Sequence, residues 1–186
     1  MAVCRVAYIL YPVTTLGPGQ RIGIWFRGCS RHCDGCISPE LQSPEGPKTE
    51  ISSLICMLRD FMKTHTVDGI TISGGEPFEQ AVALTELVES MSIDTQDILI
   101  YTGYSLSELE QMASYSRIAA CASVLITGEY IAAQDDAASP LYGSINQKLV
   151  LLKPEFEKIY ADYILTHSRQ VDSFLVDDKV ILVGIP

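Results

Sequence analysis

Apolar positions along this chain follow two alternating rhythms. Short runs rich in β-branched and aromatic residues occupy residues 3–10 (VCRVAYIL), 21–27 (RIGIWFR), 69–73 (GITIS), 97–101 (DILIY), 123–126 and 147–152. Runs of that length bounded by turn residues predict strands. Between them, residues 49–63 place Ile51, Leu54, Ile55, Leu58, Phe61 and Met62 on one face at helical spacing, with Thr49 as the expected N-cap. Residues 79–91 do the same with Ala81, Leu84, Leu87, Val88 and Met91. Ser105-x-x-Glu108 is a capping box that opens a third helix. Pro154 suits the first turn of a short helix to about Tyr163. Residues 171–175 and 180–183 flank Asp177-Asp178 and predict a closing hairpin.

Strands alternating with amphipathic helices mean βα units, hence an α/β fold with a mostly parallel sheet. Such a sheet keeps its ligand at the carboxyl ends of its strands. Two chemically unusual loops lie there. Residues 29–36 follow one strand and residues 74–77 follow the next, so both are expected to converge on one pocket.

Length and composition narrow the picture. The 186 residues suit one domain, 1–186, with no repeat or linker to divide it. With 47% apolar and 19% charged residues the chain is globular. A net charge of −10 argues against nucleic acid and against an anionic membrane surface. No apolar run is long enough to span a bilayer, and the first residues read as a buried strand better than as a signal peptide.

Six cysteines, at positions 4, 29, 33, 36, 56 and 121, are too few and too scattered for a disulfide scaffold, and they point to a reducing compartment, the cytoplasm. Cys29, Cys33 and Cys36 form C-x3-C-x2-C, and three thiolates this close suit a metal. Structural zinc needs a fourth ligand, and His32 stands too near Cys33 to chelate well. A [4Fe–4S] cluster tolerates three ligands by leaving one iron open to substrate. Three reduced thiols without metal is the remaining reading. Arg21, Arg27 and Arg31 are expected to surround this loop and offset its negative charge. Cys4 and Cys121, in apolar strands, and Cys56, on the first helix beside Ile55, read as core thiols, Trp25 as packing beneath the loop, and Asp135-Asp136 as a solvated loop.

Ser73-Gly74-Gly75-Glu76-Pro77 after a strand is a weak signal alone and a specific one downstream of C-x3-C-x2-C. Together they resemble the radical S-adenosylmethionine superfamily. Gly17-Pro18-Gly19-Gln20-Arg21, Gly28-Cys29, Cys33-Asp34-Gly35-Cys36, Tyr101-Thr102-Gly103-Tyr104, Ile126-Thr127-Gly128-Glu129-Tyr130 and Gly143-Ser144-Ile145-Asn146-Gln147 narrow the resemblance. It is then to the activating enzymes of glycyl radical enzymes, the small activases of anaerobic ribonucleotide reductase in particular. The likeness covers about residues 16–150. The chain departs from it at Ile37, where an aromatic residue is common, and in the stretch 151–186, read as a helix and hairpin.

The resemblance implies a single-domain partial (β/α) barrel with cluster and cofactor at the C-terminal strand ends. It implies a [4Fe–4S] cluster on Cys29, Cys33 and Cys36, and S-adenosylmethionine held by Gly35, Ile37, Gly74, Gly75, Glu76, Pro77 and Thr102. Tyr101, Asn146 and Gln147 are further candidates for the nucleoside. The implied reaction is reductive cleavage of S-adenosylmethionine to a 5′-deoxyadenosyl radical, which takes a hydrogen atom from a glycyl radical enzyme, with flavodoxin or ferredoxin as one-electron donor. The chemistry belongs to the cofactor, so no catalytic side chain is needed beyond it. A bulky residue at Gly75 is expected to exclude the methionine moiety while sparing the cluster. The Gly17–Arg21 turn and the short chain are read as favouring an open end that admits a protein loop. The alternatives are a radical enzyme that modifies a small molecule or peptide, and a non-enzymatic iron–sulfur electron carrier.

Overall fold

The computed structural model describes residues 2–135 and 137–186, so the expected loop at Asp135-Asp136 lies outside the described residues at Asp136. In chain order the elements are β1 (Val3–Cys4), β2 (Val6–Val13), β3 (Arg21–Phe26), β4 (Thr49–Glu50), α1 (Ile51–Met62), β5 (Gly69–Gly74), α2 (Ala81–Met91) and β6 (Ile98–Thr102). There follow α3 (Leu106–Leu109), α4 (Tyr115–Cys121), β7 (Val124–Thr127), β8 (Lys148–Leu151), α5 (Glu157–Thr166), β9 (Val171–Val176) and β10 (Lys179–Gly184). The central sheet runs β2-β3-β5-β6-β7-β8. Its inner strands β3, β5, β6 and β7 are mutually parallel, and β2 and β8 close the edges antiparallel. The fold is therefore mixed α/β with a parallel-rich central sheet.

Both faces of this sheet are buried, which is why its inner strands read as continuous apolar runs. One face sends Ile22, Ile24, Phe26, Ile70, Ile72, Ile98, Ile100 and Leu125 against Leu54 and Leu58 of α1, Leu84, Leu87 and Val88 of α2, and Ile118 of α4. Trp25, Leu99, Tyr101, Val124 and Ile126 point the other way. Leu141, Tyr160 and Tyr163 cover part of that second face, and Val183 of β10 covers another part. Burial of each such Leu, Ile or Phe side chain stabilises the fold by about 1.5–3 kcal/mol.

Arg21 is not at the cysteine loop. It begins β3, at the other end of the strand, and is fully buried. Its guanidinium meets Asp97 at 2.5 Å, Thr71 Oγ1 at 2.7 Å, and the carbonyls of Pro18 and Ile70 at 3.1 and 2.9 Å. Asp97 also accepts from Ser123 Oγ and the Tyr160 hydroxyl. The Gly17–Arg21 turn belongs to this network and not to the opening at the far strand ends. Gly19, at φ +75°, fits because a Cβ there would meet Asp68 at 2.5 Å.

Three local expectations change. Thr49 pairs in β4 with Cys4 of β1 and is not the N-cap of α1. The carbonyl of Ala2 takes the amide of Ile51 at 3.0 Å, so backbone does what the threonine side chain was expected to do. Cys121 ends α4 and is half-buried against the main core, not in a strand. Cys56 is exposed on the outer side of α1, facing Asp60 one turn on. Cys4 is a core thiol as expected, and burial pushes it up to about 11.

Candidate functional site

Four consecutive parallel strands end in a glycine: Gly28 after β3, Gly74 in β5, Gly103 after β6 and Gly128 after β7. A cavity of about 290 Å³ opens among these ends. Cys29, Cys33, Cys36, Gly74, Gly75, Glu76 and Thr102 all line it, as do Gly35 and Ile37. Pro77 does not; it is buried and starts the short turn Pro77–Gln80 before α2.

Backbone hydrogen bonds lash the loops to one another. The amide of Cys29 donates to Gln42 and that of Gly28 to Leu41. The amide of Glu76 donates to Gly28 at 2.7 Å, and that of Gly128 to Tyr104 at 2.9 Å. Gly74 sits at φ +110°, where a Cβ would meet the Phe26 carbonyl at 2.4 Å. A Cβ on Gly75 would meet the Gly28 carbonyl at 2.3 Å. A valine at Gly75 therefore displaces the cysteine loop itself, and the expectation that it would spare a cluster is corrected.

Glu76 is 1% exposed. Its Oε1 accepts from the Phe78 amide at 3.0 Å and the Thr102 hydroxyl at 2.9 Å, and its Oε2 from the Gly103 amide at 2.7 Å. Burial dominates these bonds and pushes the carboxyl up to about 7. Thr102 thus reaches the cavity by holding Glu76. Burial also raises the Cys29 thiol, against backbone hydrogen bonds at Arg31 and His32 that lower it.

Of the three expected arginines, Arg31 is the one that lines the cavity. It lies 4.1 Å over the Tyr104 ring and pairs with Glu108 at 2.8 Å and more loosely with Glu129 at 3.9 Å. Glu108 is held in turn by the capping box with Ser105, which forms as expected and, with Arg31, lowers its carboxyl to about 2. Gly103 has no side chain where a Cβ would come within 3.0 Å of Arg31 Cδ.

The nucleoside candidates divide. Gln147 lines the cavity while bracing its wall, accepting from the Gly143 amide and donating to the Gly128 carbonyl. Tyr101 lines it with its hydroxyl donated to Leu141. Asn146 lies outside the lining and donates to the Glu129 carbonyl. Sequence reasoning missed Tyr130, whose ring fills the space beside Gly35 and Gly143, and the stretch 182–186, which walls the cavity. The repeated glycine after each strand was the available signal for the first of these.

The donor chemistry suits an iron–sulfur group. Three free, half-buried thiols from one eight-residue loop face one cavity. The His32 ring is engaged 3.0 Å from Gln42 Oε1, on a residue turned to φ +48°. Among the described residues no three His, Cys, Asp or Glu groups converge as they would around a single ion. A larger concavity of about 770 Å³ lies between α1 and α2. It is lined by pairs already satisfied, Arg59 with Asp94 and Lys63 with Asp60, and holds none of the strand-end chemistry.

This arrangement, a parallel-rich sheet with three thiols at one strand end, is that of a single-cluster iron–sulfur protein, and a family model described as a 4Fe-4S single cluster domain matches residues 15–150. The chain is 31% identical over 146 residues to the anaerobic ribonucleoside-triphosphate reductase-activating protein of Vibrio cholerae, covering 74% of this chain and 92% of the relative. The protein of the same description from Salmonella typhimurium is 30% identical over the same shares. That of Enterobacteria phage T4 is 24% identical over 65% of this chain and 78% of its own. The chain belongs to the family of anaerobic ribonucleoside-triphosphate reductase-activating proteins.

Proposed function

We propose that this chain is a radical S-adenosylmethionine activase that installs a glycyl radical in an anaerobic ribonucleotide reductase. The observation that carries the reading is the shared cavity of Cys29, Cys33, Cys36 and the buried Glu76 on neighbouring strand ends. Cys29, Cys33 and Cys36 would hold three irons of a [4Fe–4S] cluster, and iron would hold their sulfurs as thiolates, at Cys29 against the pull of burial. The Gly74–Glu76 loop would hold the methionine amino group of S-adenosylmethionine, with Gly35 and Ile37 beside the third thiol and Pro77 fixing the turn beneath. When bound, the cluster, reduced by an external one-electron donor, would supply one electron to the sulfonium of S-adenosylmethionine, whose C5′–S bond would then break to methionine and a 5′-deoxyadenosyl radical able to take a hydrogen atom from the partner.

The chain's own part is to bind, orient and exclude water. Glu76, buried and costly to ionise alone, gains a counter-ion when an ammonium group arrives, so the site favours a cationic amine. Trp25, Tyr101 and Tyr142 give the cavity an apolar lining. At about 290 Å³ the cavity is at the lower bound of small-molecule sites, roughly 300–1,000 Å³. Cluster and S-adenosylmethionine together would take up this space as far as its mouth, which favours a partner that presents its hydrogen donor there on a protein loop. We further propose that the sheet curves as a partial barrel, that residues 1–186 form one domain, and that the protein works in the cytoplasm with flavodoxin or ferredoxin as electron donor. Among the described residues no helix is long and apolar enough to cross a membrane.

Anaerobic reconstitution with iron and sulfide, reduction, and incubation with S-adenosylmethionine and the reductase tests this by electron paramagnetic resonance. A stable glycyl radical on the reductase is expected. Consumption of a small molecule or peptide in step with 5′-deoxyadenosine, with no radical on the reductase, would overturn the activase reading while leaving radical chemistry in place.

A further inference from the structure

We infer that the outer face of the β9–β10 hairpin is the surface on which the radical-accepting protein docks; this rests on the activase reading above. The two strands pair in simple antiparallel register, Val180 opposite Leu175, Leu182 opposite Ser173 and Gly184 opposite Val171. Alternation along each strand separates two faces. Phe174, Val176, Ile181 and Val183 turn inward to Leu10, Val13 and Trp25. Val171, Leu175, Val180 and Leu182 turn outward, with Leu175 74% exposed and the last two 66% and 67%.

Leu175 and Val180 face each other directly, Leu182 lies diagonal to Leu175 and Val171 diagonal to Leu182, so these outward residues form an apolar stripe broken only by Ser173. Single exposed apolar residues need no explanation, but a stripe of them marks a surface that is covered in use. The hairpin is a fixed platform. The Asp172 carboxylate accepts from the amides of Thr14 and Thr15 and from the Thr14 hydroxyl, and the one Thr15 hydroxyl proton lies between Asp172 and the Val183 carbonyl.

What covers it follows from where it lies. Leu182 belongs both to the stripe and to the wall of the cavity, and residues 183–186 continue that wall. A body seated on the stripe overhangs the mouth where the hydrogen donor must enter. The hairpin also lies outside residues 15–150 that the family model matches. A second copy of the chain is a poor occupant. Each copy carries a net charge of −10, and the stripe ends at the paired carboxylates of Asp177 and Asp178 in the turn, so like charges would face one another. The fitting occupant is an apolar patch with a basic rim on the reductase.

The test is a double variant, Leu175→Glu with Val180→Glu, in reconstituted protein; neither residue lines the cavity. Affinity for the reductase is expected to fall by about tenfold or more, with iron content, thermal midpoint and partner-free 5′-deoxyadenosine formation unchanged. Asp177→Asn with Asp178→Asn, which keeps residue types that tolerate positive φ, is expected to weaken binding a few-fold and to flatten its salt dependence. Unchanged reductase affinity in the first variant overturns the inference, as does a wild-type dimer that this variant turns into a monomer without loss of reductase binding. A wild type that neither binds nor activates the reductase overturns the functional reading and with it this choice of occupant.

Discussion

At Glu76, burial and hydrogen bonding pull in opposite directions, and burial wins. Because its carboxyl rises from 4.5 to about 7 in the fold, the folded chain binds more protons than the unfolded one between those values. Stability of the metal-free protein therefore falls as pH rises from about 4.5 to about 7, by about 3 kcal/mol in total. Thermal unfolding at pH 5 and pH 8 is expected to show that loss. In Glu76→Gln the pH dependence should flatten. Its amide nitrogen also faces a donor, most directly the Gly103 amide, so the variant should be less stable by about 1–3 kcal/mol at pH 5. An unchanged pH slope in the variant would place the titration elsewhere. Gly75→Val is expected to lose iron, because the Gly28 carbonyl leaves no room for its Cβ; full iron content in the folded variant would contradict this. The cysteine spacing was legible because all three thiols lie within eight residues. That Gly75 backs onto Gly28, or that Arg21 is spent on Asp97 and not on the cysteine loop, depends on partners 47 and 76 residues away and was not.

Among the elements, the parallel strands were legible as short unbroken apolar runs, and the two long helices by an apolar period kept throughout. α4 spans seven residues, too few to show a period, and was missed. The N-terminus of α1 was misread because its partner, the carbonyl of Ala2, comes from the far end of the preceding chain. The capping box of α3 was legible, being local, and its role was not: it holds Glu108 against Arg31 of the cysteine loop. Ser105→Ala is expected to lower stability by about 1 kcal/mol and to speed amide exchange across residues 29–36 beyond that global loss. Equal slowing or speeding across the whole chain would mean that the latch does not reach the loop. At the opposite strand ends, Asp97→Ala leaves the Arg21 charge buried without its partner. A loss of about 3–5 kcal/mol by denaturant unfolding is expected, and a loss under 1 kcal/mol would show that water replaces the carboxylate.

For the whole molecule, the sheet separates two tasks by its two ends. The starts of β3 and β5, with the residues just before β6 and β7, are closed by the buried Arg21–Asp97–Tyr160 network. The far ends carry the thiols, Glu76 and the cavity. The strand order put both chemical loops on one side, and that much was legible, since loops after successive parallel strands must share an end. The covering of the second sheet face by α5 and the hairpin was not, because residues 171–184 pack on positions near 10–25 with no local sign of it. The central claim is that this one cavity holds a cluster on three cysteines. Iron and acid-labile sulfide, counted per chain after anaerobic reconstitution in each single cysteine-to-alanine variant, test it most directly. About four of each are expected in the wild type and in Cys4→Ala, Cys56→Ala and Cys121→Ala, with loss in Cys29→Ala, Cys33→Ala and Cys36→Ala. One zinc per chain without sulfide, or a full cluster in any of the last three, would contradict it.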